Sequence, residues 1–405
     1  MDYNYKNIFN LNLTILRVLG YFPSNTGSKP FNAMYKSCTC IAYFLALLFI
    51  ASQAVEMVLM AKAQNLEKLS TTCLKLFLNV SYFVKLTFFI NNNNRVKLLI
   101  RKIEHKLVSP SSPQQDESMT KHIKCMTTFS RTFLYMSVIT CVLFAIFPLI
   151  DKNEELEEIN TDGWYPFKSS NTVTLVAYVY LSLEELLAGL CNVSMDCIVI
   201  GCLSYICMQV RFLKHNLKHM KDICTNTLAK IPDQSLLNKN DYRRQLQEHM
   251  DDTLINCILQ YQTIVRIKRD IEEIFGMGIF IMFMFDCLAL CMTMFQLLII
   301  SFKSIQFFCV IIYMMCITME LMAYCWFGNE LLVISSQVPV AAYESDWIDT
   351  PVYFQKNLLM FITIAMKPMK VTVIHFSLSV ETFTVIMRTA WSYFAVLRQK
   401  YNEEH

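Results

Sequence analysis

The sequence predicts an all-α, polytopic membrane protein with seven transmembrane helices, its N-terminus cytoplasmic and its C-terminus extracellular. Three observations carry this reading. The chain of 405 residues is 54% apolar and only 17% charged, against about 25% charged for an ordinary soluble chain. Its apolar residues come in blocks long enough to cross roughly 30 Å of hydrocarbon, which takes about 20 helical residues. Lys and Arg crowd every second segment between the blocks, as the positive-inside rule requires.

The blocks fall at residues 37–60, 69–90, 126–150, 173–206, 274–302, 305–327 and 371–396. A shorter half-apolar stretch, 352–364, cannot span alone and reads as a helix ahead of the last block. Segments 1–36, 91–124 and 211–269 hold 4, 7 and 11 basic residues. The opposite segments hold Lys62 and Lys68, then Lys152 and Lys168, then Lys303, and include the acidic run DKNEELEEINTD at 151–162. The basic side, which carries the N-terminus, is therefore cytoplasmic, and an odd span count puts the C-terminus outside. The expected division is a cytoplasmic segment 1–36, spans one to four in 37–206, cytoplasmic extensions and a loop in 207–273, and spans five and six in 274–327. A cytoplasmic connector in 328–370, the last span in 371–400 and an extracellular tail in 401–405 complete it. Helical periodicity continues past the bilayer at 207–220 and 249–273, with Arg211, Lys214, Lys218, Arg266, Arg269 and Glu273 on one face of each. Extensions of spans four to six, packed with the short helix, would form a cytoplasmic anchor bundle; two solvated helices fit the same pattern.

Several function classes fit the sequence less well, a G-protein-coupled receptor and a transporter among them. A G-protein-coupled receptor has an outside N-terminus and usually an Asp-Arg-Tyr and an Asn-Pro-x-x-Tyr motif, which this chain lacks. No internal repeat or Gly-broken helix pair suggests a transporter. The seven histidines are scattered; His215 and His219 are four apart on a basic helix but have no evident third ligand for zinc. No Gly-rich phosphate loop or catalytic constellation is visible, so neither an enzyme nor a cofactor is expected, and no nucleic-acid partner. Most of the sixteen cysteines lie in or beside apolar blocks and read as small buried hydrophobes. The sequons at Asn12, Asn79 and Asn192 lie on the cytoplasmic side or inside spans, so none should carry a glycan. Met1 to Lys36 has no short apolar core or cleavage site of a signal peptide.

Certain stretches carry a resemblance. The order Asn192, Asp196, Gln209 in the fourth block, the run Cys325-Trp-Phe-Gly-Asn-Glu-Leu331, and the tail HFSLSVETFTVIMRTAWSYFAVLR from His375 to Arg398 resemble the insect odorant receptors. The related gustatory signature is met only loosely, with Tyr393 and Gln399 present, Ser392 in place of Thr and Lys400 in place of Phe; a gustatory receptor is the alternative. Gln260-Tyr261 and the Lys of Met366-Lys367-Pro368-Met369 depart from the common family pattern. The long insertion between spans four and five of the family's co-receptor is missing, so the chain resembles a tuning, ligand-specific subunit. The resemblance implies an odorant-gated, nonselective cation channel subunit. It would act with the odorant co-receptor in a heterotetramer, among membrane lipids in the plasma membrane of olfactory sensory neurons.

On the last helix, Val385, Thr389, Ser392, Val396, Gln399 and Glu403 form one stripe. Small and polar groups around one valine suit a water-filled pore that gates by dewetting, and equally suit close packing on a neighbouring helix. The resemblance places Val396 at the gate and Gln399 near the mouth. Lys400 would repel cations there, which makes this subunit a poor pore alone. The resemblance also implies a pocket for a small volatile ligand in the outer half of spans two, three, four and six. Candidates by position are Phe77, Tyr82 and Phe83; Ser137, Cys141 and Phe144; Tyr178, Leu183 and Leu187; and Tyr313 and Ile317. Each also suits ordinary lipid or helix packing, but Tyr178 and Tyr313 stand out because a buried hydroxyl wants a partner. Among charges inside spans, Glu184 or Glu185 could face the pocket or the acidic outer surface. Asp196, Glu320 and Glu381 read as structural, and Asp286 lies in span five.

Overall fold

The structure is a computed structural model that describes residues 6–22, 29–63, 66–105, 113–150, 171–229, 239–300 and 304–404. The long helices are α2 (Lys29–Lys62), α3 (Leu66–Asn91), α5 (Pro113–Ile150), α6 (Asn171–Lys218), α8 (Lys239–Ile299), α9 (Ile305–Ser336) and α12 (Val380–Glu404). Among the described residues, the first six of these are long and apolar enough to cross a membrane. The seventh, α12, is long enough at 25 residues but interrupts its apolar run with Arg388, Ser392, Arg398 and Gln399. The acidic run at 151–162 lies outside the described residues.

Shorter helices close the basic end. α1 (Lys6–Val18) seats against α6 and α5. A Cβ at Gly201 of α6 would stand 2.9 Å from the Phe9 ring, so glycine there lets α1 approach. Asn12, fully buried, donates to Ser130 Oγ at 3.0 Å and accepts from it at 3.2 Å. Asn79 is buried and donates to Gln53 at 3.1 Å, so two of the three sequon side chains lie inside the protein. α4 (Asn93–His105) follows α3, and its Lys102 reaches Asp270 of α8 at 2.6 Å.

The extensions of α6, α8 and α9 meet α7 (Met220–Leu228), α10 (Val338–Tyr343) and α11 (Val352–Ala365) in the bundle anticipated from periodicity. Lys214 donates to Gln337 at 3.0 Å, Lys218 pairs with Glu344 at 2.8 Å, and Arg211 pairs with Glu330. Gln260 donates to the Gln209 backbone and side chain, both at 3.2 Å, and Tyr261 meets Phe361 edge to face at 5.4 Å. Lys367 is exposed. The apolar cysteines are mostly buried, but Cys40 and Cys125 are exposed, and side-chain details at Cys38 lie outside the described residues.

The start of the last helix differs from expectation. The last helix starts at Val380, not Val371. The run Val371-Thr-Val-Ile374 is apolar but β-branched, which suits a pleated strand better than a helix. It forms a two-stranded antiparallel hairpin pairing Thr372 with Ser377 and Val373 with Phe376, turning at Ile374 with φ 46°. Ser379 then caps α12, accepting from the Thr382 backbone N–H at 3.2 Å. The hairpin is fixed from two sides. Glu272 of α8 accepts from the Thr372 backbone N–H at 2.7 Å, and Gly328 of α9 lies against Leu378.

Candidate functional site

α3, α5, α6, α8 and α9 converge on a cavity of about 120 Å³. α3 supplies one face, with Lys75, Asn79, Tyr82 and Lys85 at intervals of three or four residues. Phe133, Ser137, Thr140 and Cys141 come from α5; Glu185, Ala188, Asn192 and Val193 from α6. Asp286 of α8 and Tyr313, Cys316, Ile317 and Glu320 of α9 close it. Gly189 also lines it; a Cβ there would stand 3.1 Å from Cys141 Sγ and 3.2 Å from Ser137 Oγ, so the glycine sets how closely α5 and α6 approach.

The floor is ionic. Lys85 Nζ donates to both oxygens of Asp196 at 3.0 and 2.9 Å and to Glu320 Oε1 at 3.0 Å. Tyr324 also donates to Asp196, at 2.8 Å. These groups are all buried, and opposite charges with hydrogen bonds are what makes such burial tolerable in a membrane. Higher up, Lys75 stands 3.7 Å from Glu185 and 5.4 Å from the centre of the Phe144 ring, which packs edge to face on Tyr313 at 5.7 Å.

Five of the eleven residues expected in the pocket line it: Tyr82, Ser137, Cys141, Tyr313 and Ile317. Phe144 backs the wall through Tyr313. The other five stand elsewhere. Phe77 packs on Phe285 at 6.0 Å and Phe83 on Tyr43 at 4.5 Å. The Tyr178 hydroxyl finds its partner in the Ala145 carbonyl, an α5–α6 contact. Leu183 is 52% exposed, and Leu187 is half-buried outside the cavity lining. These five do not line this cavity, because span depth does not fix which way a helix face points. Glu185, Asp286 and Glu320 are in the cavity lining, and Asp196 lies beneath it, bonded to Lys85. The two lysines of α3 went unread; their spacing with Asn79 and Tyr82, one polar face in an apolar run, is the signal that would have found them.

At α12 the two faces differ. Ala390 and Phe394 are buried, and Phe383, Ile386 and Met387 pack on the core against α8 and α9. Val385, Ser392, Val396 and Gln399 are exposed, Val396 at 64%, and Thr389 is half-buried. The side chains of Lys400 and Glu403 lie outside the described residues. His215 and His219 bring their rings to 4.7 Å, and no group of three or more potential metal ligands occurs among the described residues.

The profile of the 7tm odorant receptor family matches residues 65–391. The chain belongs to that family. Odorant receptor Or1 of Anopheles gambiae is 20% identical, over 99% of this chain and 97% of its own length. Odorant receptor 67a of Drosophila melanogaster is 22% identical, over 95% of each. The structure of the insect olfactory receptor OR5 from Machilis hrabei in complex with eugenol superposes with a TM-score of 0.82 at 15% identity, covering 98% of this chain and all of that one. This odorant receptor therefore has the seven-helix membrane fold, α12 included, and its family is not one of enzymes.

Proposed function

We propose that the protein is the ligand-specific subunit of an odorant-gated, nonselective cation channel. It works in a heterotetramer with the shared co-receptor, in the plasma membrane of olfactory sensory neurons. The basic end of the bundle is cytoplasmic. The observation that carries the channel reading is the two-faced α12. One face seats on α8 and α9, while the face bearing Val385, Ser392, Val396 and Gln399 stays uncovered in the protomer. A lipid-facing helix would carry leucine there. Small and polar groups around a valine instead suit a water-filled path closed by a dry ring at Val396.

Two further observations support the reading. The apolar side chains Tyr343, Ile348, Leu359, Met360 and Ile364 are exposed on α10, α11 and their link, in a bundle too rich in charge to sit in lipid, so a protein partner is their natural cover. The related Machilis hrabei receptor holds eugenol, a small aromatic molecule, and the cavity between α3, α5, α6, α8 and α9 is this chain's counterpart for a small ligand. A ligand wedged there pushes α8 and α9, on which α12 is seated, and so shifts the outer end of α12. The test is recording in oocytes with and without the co-receptor against a volatile panel. A current that requires the co-receptor, and whose rectification or ion selectivity changes in Val396→Ala or Gln399→Ala, is the expected result. A surface-expressed subunit that no volatile ever gates with the co-receptor overturns it.

A further inference from the structure

Taking this cavity as the ligand site, we propose that it selects a small alkylamine, bound as its ammonium ion, with the N–H groups directed at Asp286 and Asn192. The cavity has more acceptors than its own donors satisfy. Asp286 is 2% exposed, and among the described residues its Oδ2 has no hydrogen-bond partner; neither has Asn192 Oδ1. Both residues line the cavity. The nearby ammonium cannot serve them. A lysine has three N–H groups, and Lys85 has three bonds, two to Asp196 and one to Glu320. The other ammonium, Lys75, is engaged with Glu185. Thr140 gives its hydroxyl hydrogen to the Met136 carbonyl at 2.8 Å, and Asn79 donates to Gln53.

The charge count points the same way. Lys75 balances Glu185, which leaves Lys85 against Asp196, Glu320 and Asp286. A carboxylate this deep in a membrane needs a cation or a proton beside it. An ammonium ligand supplies the positive charge and up to three donors at once. The ring of Tyr313, which lines the cavity, adds a favourable surface for a cation. Esters, ketones and ethers carry acceptors alone and would set oxygen against oxygen. A site with buried groups left unpaired rejects such analogues strongly. The volume of about 120 Å³ limits the alkyl chain to a short one.

The experiment uses the full receptor with its co-receptor in oocytes, in a near-neutral bath where an alkylamine is protonated. The probes are pentylamine, pentanol and pentyl acetate. Pentylamine should gate at a concentration at least about tenfold below pentanol, and pentyl acetate should be weakest. Asp286→Asn should raise the half-maximal pentylamine concentration by about tenfold or more while shifting pentanol by no more than about twofold, and Asn192→Leu should give a smaller shift of the same kind. Surface labelling confirms that each variant reaches the membrane. Should Asp286→Asn fail to do so, the Asn192→Leu shift and the wild-type ranking decide. Neutral volatiles that gate the channel while pentylamine does not, or an amine response indifferent to Asp286→Asn, would overturn the inference and leave the channel reading standing. If no volatile gates a current, the channel reading fails separately. Thermal stabilisation of the purified receptor by pentylamine but not pentanol, lost in Asp286→Asn, then supports the amine site, and its absence overturns it.

Discussion

Three N–H groups of Lys85 reach three carboxylate oxygens on two other helices, so this one side chain ties α3 to α6 and α9 beneath the cavity. Removing a single partner of a buried ionic cluster leaves the rest uncompensated, at about 3–5 kcal/mol. Lys85→Met should therefore lower the melting temperature of the detergent-purified receptor sharply and cut surface expression. The double variant Lys85→Met, Asp196→Asn should recover part of that loss. A double variant no more stable than the single would show that the cluster does not act as a unit. Of this site, the in-span acids were legible because charge inside an apolar block is conspicuous. Lys75 and Lys85 escaped because only their relation to Asn79 and Tyr82 makes them a face. The orphaned oxygen of Asp286 could not be read at all, since it depends on which donors the neighbouring helices have already engaged.

At the scale of elements, the hairpin before α12 is what turns sequence into seating. Gly328 sits where a Cβ would stand 2.5 Å from the Leu378 carbonyl oxygen and 2.4 Å from its Cβ. Neither is the tip of a flexible side chain, so one added methyl must shift the hairpin or α9. Gly328→Ala should cost about 1–3 kcal/mol and depress ligand-evoked current beyond any loss of surface protein. Gly276→Ala is the matching control on α8: among the described residues nothing lies within 4 Å of a Cβ there, and alanine in a helix interior is favoured by about 0.5–1 kcal/mol. Melting curves should move in opposite directions for the two variants, and a neutral Gly328→Ala would remove the hairpin as the clamp. The seven long helices, and the short one at 352–364, were legible because block length and 3.6-residue periodicity are local properties. The start of α12 was not, because Val371 to Ile374 are as apolar as a span, and hydropathy does not distinguish a strand from a helix.

For the whole molecule, the proposed assembly is what would cover the exposed apolar face of α11. Leu359→Glu with Met360→Glu, both 65% exposed, should leave the isolated subunit's melting within about 0.5 kcal/mol of the parent but abolish its co-purification with the co-receptor. Retained co-purification would place the partner on another surface. No pattern within the chain reveals such a face, because an amphipathic helix looks alike whether its second side meets water or a partner. The element that joins all these levels is α8, a single helix of 61 residues, about 90 Å long at 1.5 Å per residue. Asp286 lies on it in the cavity wall, Lys268 on it holds the Lys370 carbonyl at 2.9 Å just before the hairpin, and Tyr261 on it meets α11. Such a rod is a lever: a tilt of about 2° around its middle moves each tip by roughly 1.5 Å. Motion imposed at either tip is felt at the other, and thermodynamic reciprocity makes the exchange even-handed. A compound that wedges the inner tip should alter odorant affinity by the same factor by which the odorant alters its own.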